Sequence, residues 1–147
     1  MDDQVYVWKG LRIMGLGGSI RYNSEETFQY TEREMRRRMR RLWFKAHRAG
    51  GIDLLLTHSP AAGLNDGDDR AHKGFACFND LLEEYQPKWF VHGHVHLSYN
   101  ANLPRVCTHG QTTVINATER YTFEIPDPDP VARKRFFWND PAFPTKN

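Results

Sequence analysis

Cysteine is nearly absent from this 147-residue chain, and its two examples, Cys77 and Cys107, form no Cys-x-x-Cys pattern. That scarcity excludes a disulfide-stapled framework and a cysteine-built zinc knuckle, and it fits free thiols in a reducing cytosol. Long apolar runs are missing too, which excludes a membrane-spanning helix. Charge of one sign is not in excess, since 20 basic and 18 acidic residues leave +2, so composition points to neither a nucleic acid nor a membrane surface. There is no internal repeat, and the acidic start Met1-Asp2-Asp3 lacks the apolar segment of a secretory signal. The expectation is a cytoplasmic protein without a membrane partner.

What is present is enough for one core, with 39% hydrophobic and 13% aromatic residues. Val5-Tyr6-Val7-Trp8, Lys9-Gly10 and Leu11 to Leu16 read as a hairpin ended by Gly17-Gly18-Ser19. That glycine pair lacks the Lys-Ser/Thr of a phosphate-cradling loop and reads as a tight turn. Residues 31–49 form the clearest helix. Thr31 and Glu34 make a capping box, Met35, Met39, Leu42, Trp43 and Ala46 give a buried stripe, and Gly50-Gly51 stops it. Glu32 to Arg36 and Glu34 to Arg38 are favourable i,i+4 pairs. The arginines from Arg33 to Arg41 read as a solvated face, because no aromatic interleaving accompanies them.

Residues 52–56 form a continuous apolar run, as in a strand buried on both faces, and discharge into Thr57-His58-Ser59-Pro60. Residues 61–73 read as a surface loop. Its Asp66, Asp68 and Asp69 are not followed by the glutamate that an EF-hand calcium loop needs. Gly74 to Tyr85 reads as a second amphipathic helix closed by Pro87, and Lys88 to Val91 as the next strand. Residues 105–108, 112–116 and 121–125 read as three further strands. This divides the chain into a body at 1–125 and a proline-rich tail at 126–147.

Histidine carries the chemistry. His92, His94 and His96 alternate directly after Trp89-Phe90-Val91, and Gly93 is placed to break the strand so that His94 and His96 project from its carboxyl end. His58 sits at the same kind of place after the preceding strand. Neutral imidazoles in such positions can gather on one zinc, manganese or iron ion. His72, in the acidic loop, is a candidate substrate contact, while His47 and His109 read as surface residues.

Leu54-Leu55-Leu56-Thr57-His58-Ser59-Pro60 and Gly93-His94-Val95-His96 resemble the late single-histidine and Gly-His-x-His motifs of the calcineurin-like metallophosphoesterases. Residues 10–19 with Arg21-Tyr22 resemble the phosphodiesterase-like branch of that superfamily, and Val114-Ile115-Asn116 resembles the family's strand after the histidine motif. The resemblance implies an α/β fold, a β-sheet with flanking helices like the C-terminal half of the family's α/β/β/α sandwich. It implies a divalent metal (Mn, Zn or Fe), with His58 and His94 on one ion and His96 on the other, and a phosphoester substrate contacted by Arg21 and His72. In the family, two ions about 3.5–4 Å apart clamp the phosphoryl oxygens. The family's Asp-x-His, glycine-aspartate and Asn-His motifs do not occur before Gly10. The chain therefore reads as a fragment, a subunit completed by another chain or a second copy of itself, or a degenerate homologue that binds a metal or partner without catalysis. Unpaired sheet edges where the missing half belongs would invite such association.

Overall fold

The computed structural model describes residues 2–23, 27–98 and 103–126. β1 (Gln4–Trp8) and β2 (Leu11–Leu16) pair antiparallel as the sequence predicts. Lys9 at φ 46° and Gly10 at φ 85° make the two-residue turn, and positive φ at both positions matches the twist of a hairpin. β3 (Ser19–Ile20) and β4 (Gln29–Tyr30) form a separate two-stranded parallel ribbon. Gly18 enters it at φ 96°, where a Cβ would lie 2.4 Å from the Tyr30 ring, so no larger residue fits that turn.

α1 (Glu32–Arg48) is capped by Thr31 with the full capping box, and α1 leads into β5 (Leu54–Thr57). α2 (Ala76–Tyr85) and β6 (Trp89–His92) follow, then the hairpin of β7 (Val106–His109) and β8 (Thr112–Asn116). The six-stranded sheet runs β1-β2-β5-β6-β8-β7. Its four central strands are parallel, and the two edges are antiparallel. This is the expected α/β architecture. The parallel strands bring Leu16, Thr57, His92 and Asn116 to one carboxyl edge, because Leu16 pairs with Thr57 and His92 with Asn116.

The main core lies between both helices and the sheet face bearing Met14, Leu55, Phe90 and Val114. On the opposite face Leu54, Val91 and Ile115 form a smaller cluster. Residues 121–125 are not the strand read from the sequence. They make no ladder, and instead Phe123 and Ile125 lie against that second cluster. Burial of their apolar side chains takes the place of strand pairing. The tail beyond residue 126 lies outside the described residues.

Three side chains behave differently from the helical pattern. Trp43 is exposed rather than in the core, and its indole N–H donates to Glu84 of α2 at 2.5 Å. Arg38 is not on a solvated face. It is buried, bound to Asp2, Asp3 and the Gly17 carbonyl, and it lies over the Tyr30 ring. Glu34 consequently pairs with Arg21 rather than Arg38, whereas the Glu32–Arg36 pair is present at 3.8 Å. Tertiary partners outcompete the i,i+4 pairing here, since exposed helix pairs contribute only a few tenths of a kcal/mol, about 0.3–0.5.

α2 starts at Ala76, two residues later than read, because Gly74 is a crossing point. A Cβ there would lie 2.3 Å from the Ala61 carbonyl carbon. Phe75 occupies the N-cap and supplies no side-chain cap. The Glu32 carboxylate of α1 substitutes, accepting from the backbone N–H groups of Ala76 at 3.1 Å and Cys77 at 2.6 Å. A carboxylate at a helix N-terminus satisfies orphan donors and complements the dipole.

Candidate functional site

The carboxyl edge of the sheet gathers the histidines. The His58 backbone N–H donates to the Leu16 carbonyl, and the His58 carbonyl accepts from Gly93 N–H at 3.0 Å, so the ends of β2, β5 and β6 are tied together. After His92 the chain turns sharply, with Val95 N–H donating to the Gly93 carbonyl at 2.8 Å. The left-handed residue of this turn is His94, at φ 68°, and not Gly93 as the sequence implied. A non-glycine residue in that region costs about 1–2 kcal/mol, and strain of this kind is retained where a side chain must be aimed.

The turn aims His94 at His58. His58 Nε2 lies 3.1 Å from His94 Nδ1, with ring centroids 4.7 Å apart. The other nitrogen of His94, Nε2, is 2.8 Å from the Ala71 carbonyl oxygen. A carbonyl can only accept, so Nε2 carries the proton and Nδ1 presents its lone pair toward His58. His72 lies beside His94 at 5.2 Å between ring centroids, and its Nδ1 is 2.7 Å from the Asp69 carboxylate. Partial burial, followed by mutual repulsion with His94, lowers the pKa of His58. Burial lowers that of His94 as well, against the opposing pull of the Ala71 carbonyl. Both rings are held toward the neutral form that ligates metals.

Asn116, fully buried at the end of β8, holds the turn from below. Its Nδ2 donates to the Val95 carbonyl at 2.8 Å, and Thr118 Oγ1 donates to the same oxygen at 3.1 Å. His92 is 1% exposed. Its Nδ1 faces the Gly93 carbonyl at 3.1 Å, while its Nε2 has no hydrogen-bond partner among the described residues. Burial pushes its pKa down to about 4. It is a neutral support of the turn.

The structure thus brings His58, His94 and His72 together. His96 is exposed at the outer end of the turn. Arg21 is committed elsewhere, its guanidinium bound to Glu34 at 3.0 Å and to the Gln29 carbonyl at 3.3 Å. Asp69, the Ala71 carbonyl and Asn116 were not legible as site residues, because two of the three act through groups that sequence spacing does not display: a main-chain oxygen and a strand-end amide.

As a metal shell the arrangement fits in part. Two nitrogens bound about 2.0–2.1 Å from one tetrahedral ion stand roughly 3.3 Å apart, close to the His58–His94 separation. Among the described residues no group of three or more His, Cys, Asp or Glu side chains is arranged to hold an ion. The described residues bring two ring nitrogens, His58 Nε2 and His94 Nδ1, to within 3.1 Å of each other.

An α/β sheet with a histidine pair at its carboxyl edge is the class that fold and site define. Two of the relatives this chain resembles carry a metallophosphoesterase domain by name. The human and mouse proteins called metallophosphoesterase domain-containing protein 1 are each 32% identical over 71 residues, which cover 46% of this chain and 20% of the relative. A UPF0046 protein of Caenorhabditis elegans is 37% identical over 73 residues, covering 45% of this chain and 24% of the relative. The chain therefore matches less than a quarter of the length of these relatives. One solved crystal structure shares the fold at a TM-score of 0.56 and 18% identity, over 80% of this chain and 44% of that one. The crystal structure of a Thermus thermophilus protein, TT1561, does so at 0.51 and 15%, over 79% and 48%. No family model matches the chain. Over less than half of its length the chain is similar to metallophosphoesterase-domain proteins, the family its histidine motifs resemble. No described helix is long and apolar enough to cross a membrane.

Proposed function

We propose that this chain carries the histidine end of a metal-dependent phosphoesterase site that hydrolyses a phosphomonoester or phosphodiester. The observation that carries the proposal is the His58–His94 pair, two nitrogens 3.1 Å apart at the carboxyl edge of a parallel sheet. Relatives named for a metallophosphoesterase domain support the same reading and, with it, the use of a divalent ion, for which we propose Mn, Zn or Fe. A divalent ion in such a site polarises a phosphoryl oxygen and lowers the pKa of bound water.

This chain's own residues would bind and orient. His58 Nε2 and His94 Nδ1 would hold one ion, and His96 would hold a second. His72, which lies beside His94, would contact a phosphate oxygen of the substrate. Arg21 would contribute only after leaving Glu34. Three imidazoles cannot offset two divalent charges, so the carboxylates of a two-ion site would come from another segment or another chain.

A second reading is favoured because, among the described residues, no group of three or more potential ligands is arranged to hold an ion: a non-catalytic domain of this fold that binds one metal ion or a complementing partner chain. Hydrolysis of an aryl phosphodiester and an aryl phosphomonoester in added manganese separates the two. Turnover by the wild-type chain that is lost in His94→Ala supports the esterase. Its absence, with manganese still bound, leaves the binding domain.

A further inference from the structure

The loop that links β5 to α2 lacks the ligand spacing of a calcium site, yet it is closely knitted around one carboxylate. Asp69 Oδ1 accepts from the backbone N–H groups of Ala71 at 2.9 Å and His72 at 3.2 Å, while Asp69 Oδ2 is 2.7 Å from His72 Nδ1. His72 in turn gives its carbonyl to Gly67 N–H at 2.9 Å. A Cβ on Gly67 would lie 2.6 Å from the His72 Cβ, so the loop closes on itself only with glycine there. Asp66 Oδ2 accepts from Gly74 N–H at 3.2 Å and anchors the loop's far end.

Two parts of this loop touch His94. The Ala71 carbonyl accepts a hydrogen bond from Nε2–H, and the His72 ring lies against the His94 ring. We infer that Asp69 is a positioning residue for His94: it fixes the turn that aims the Ala71 carbonyl and thereby sets the His94 tautomer, with the proton on Nε2 and the lone pair on Nδ1. An imidazole in water populates both tautomers, and a ligating ring is useful only with the bare nitrogen facing the ion. The hydrogen bonds of the Asp69 carboxylate go to Ala71 and His72 and not to either ring of the His58–His94 pair. It acts through the main chain of Ala71 and the ring of His72.

The use of this device rests on the proposed phosphoesterase reading, but its test does not need a metal. In the metal-free 147-residue chain at about pH 8, where histidine is neutral, ring 15N spectra report which His94 nitrogen bears the proton. Wild type places Nε2 in the protonated range and Nδ1 in the lone-pair range. Asp69→Ala moves both resonances toward the averaged position of a tautomer mixture, while His92, outside the loop, stays unchanged. Asp69→Asn retains an oxygen that can accept from Ala71 and His72 and returns the spectrum toward wild type. Thermal melts of the same samples show that the variants are folded. Manganese titration of Asp69→Ala then shows affinity lowered by about 10–100-fold. A wild-type His94 protonated on Nδ1, or an Asp69→Ala spectrum identical to wild type, overturns the inference. A chain that shows these spectra but neither binds manganese nor hydrolyses phosphoesters overturns the phosphoesterase reading and leaves the positioning role standing.

Discussion

Asn116 Nδ2 donates to the carbonyl oxygen of Val95 at 2.8 Å, which joins the end of β8 to the middle of the histidine turn. The amide is fully buried, and its own Oδ1 accepts from Thr118 N–H at 3.0 Å, so both halves of the side chain are used. One buried side chain thus holds the turn between His94 and His96 against the sheet.

Replacing that amide isolates its contribution. Asn116→Leu keeps the side chain's branching, removes the donor to Val95 and leaves Thr118 N–H without its acceptor. Stability should fall by about 2–3 kcal/mol, the cost of buried polar groups losing partners. Chemical denaturation measures it, and hydrogen exchange at Val95 should accelerate with it. A variant within experimental error of wild type would show that Thr118 alone suffices.

His92 makes folding sensitive to acid. Burial holds its folded pKa at about 4, against the opposing hydrogen bond to the Gly93 carbonyl, whereas an unfolded histidine titrates at about 6.5. Between those values the unfolded chain binds the extra proton. Stability from this group is therefore fully present above about pH 6.5 and is lost as pH falls toward about 4, on the order of 3 kcal/mol over the window. His92→Leu should flatten the pH dependence of the denaturation midpoint over that range. An unchanged slope would contradict the neutral, buried assignment.

Glu32 couples the two helices. Its carboxylate accepts from Ala76 and Cys77 N–H groups at the start of α2, where Phe75 offers no side-chain cap. Glu32→Ala should cost about 1 kcal/mol, as loss of a side-chain cap does elsewhere. Glu32→Gln, which keeps an oxygen acceptor, should recover part of it. Equal losses in the two variants would assign the effect to charge rather than to the cap.

Local features were the legible ones. The capping box at Thr31 and Glu34, the Lys9-Gly10 turn and the continuous apolar run ending at His58 each follow from residues adjacent in sequence, and the structure contains all three. Features set by distant partners were not. Arg38 looked solvated until Asp2 and Asp3 met it, and Trp43 joined Glu84 rather than the core. Residues 121–125 carried strand-like alternation, but their apolar side chains cover the second sheet face without pairing. At the site, His58 and His94 were visible by motif, whereas the strained φ at His94 fell one residue beyond the glycine expected to provide it. The Ala71 carbonyl could not be read at all, since every residue has one and only the folded loop selects this oxygen.

The most direct measurement is manganese binding to the 147-residue chain by isothermal titration, with wild type, His58→Ala and His94→Ala compared side by side. If the two rings share an ion, wild type binds manganese and each single variant weakens binding by at least about tenfold. His47→Ala, remote from the pair and stacked on Trp43, should bind as wild type does. Equal affinity in wild type, His58→Ala and His94→Ala, or no binding by the wild-type chain, would contradict the shared-ion site.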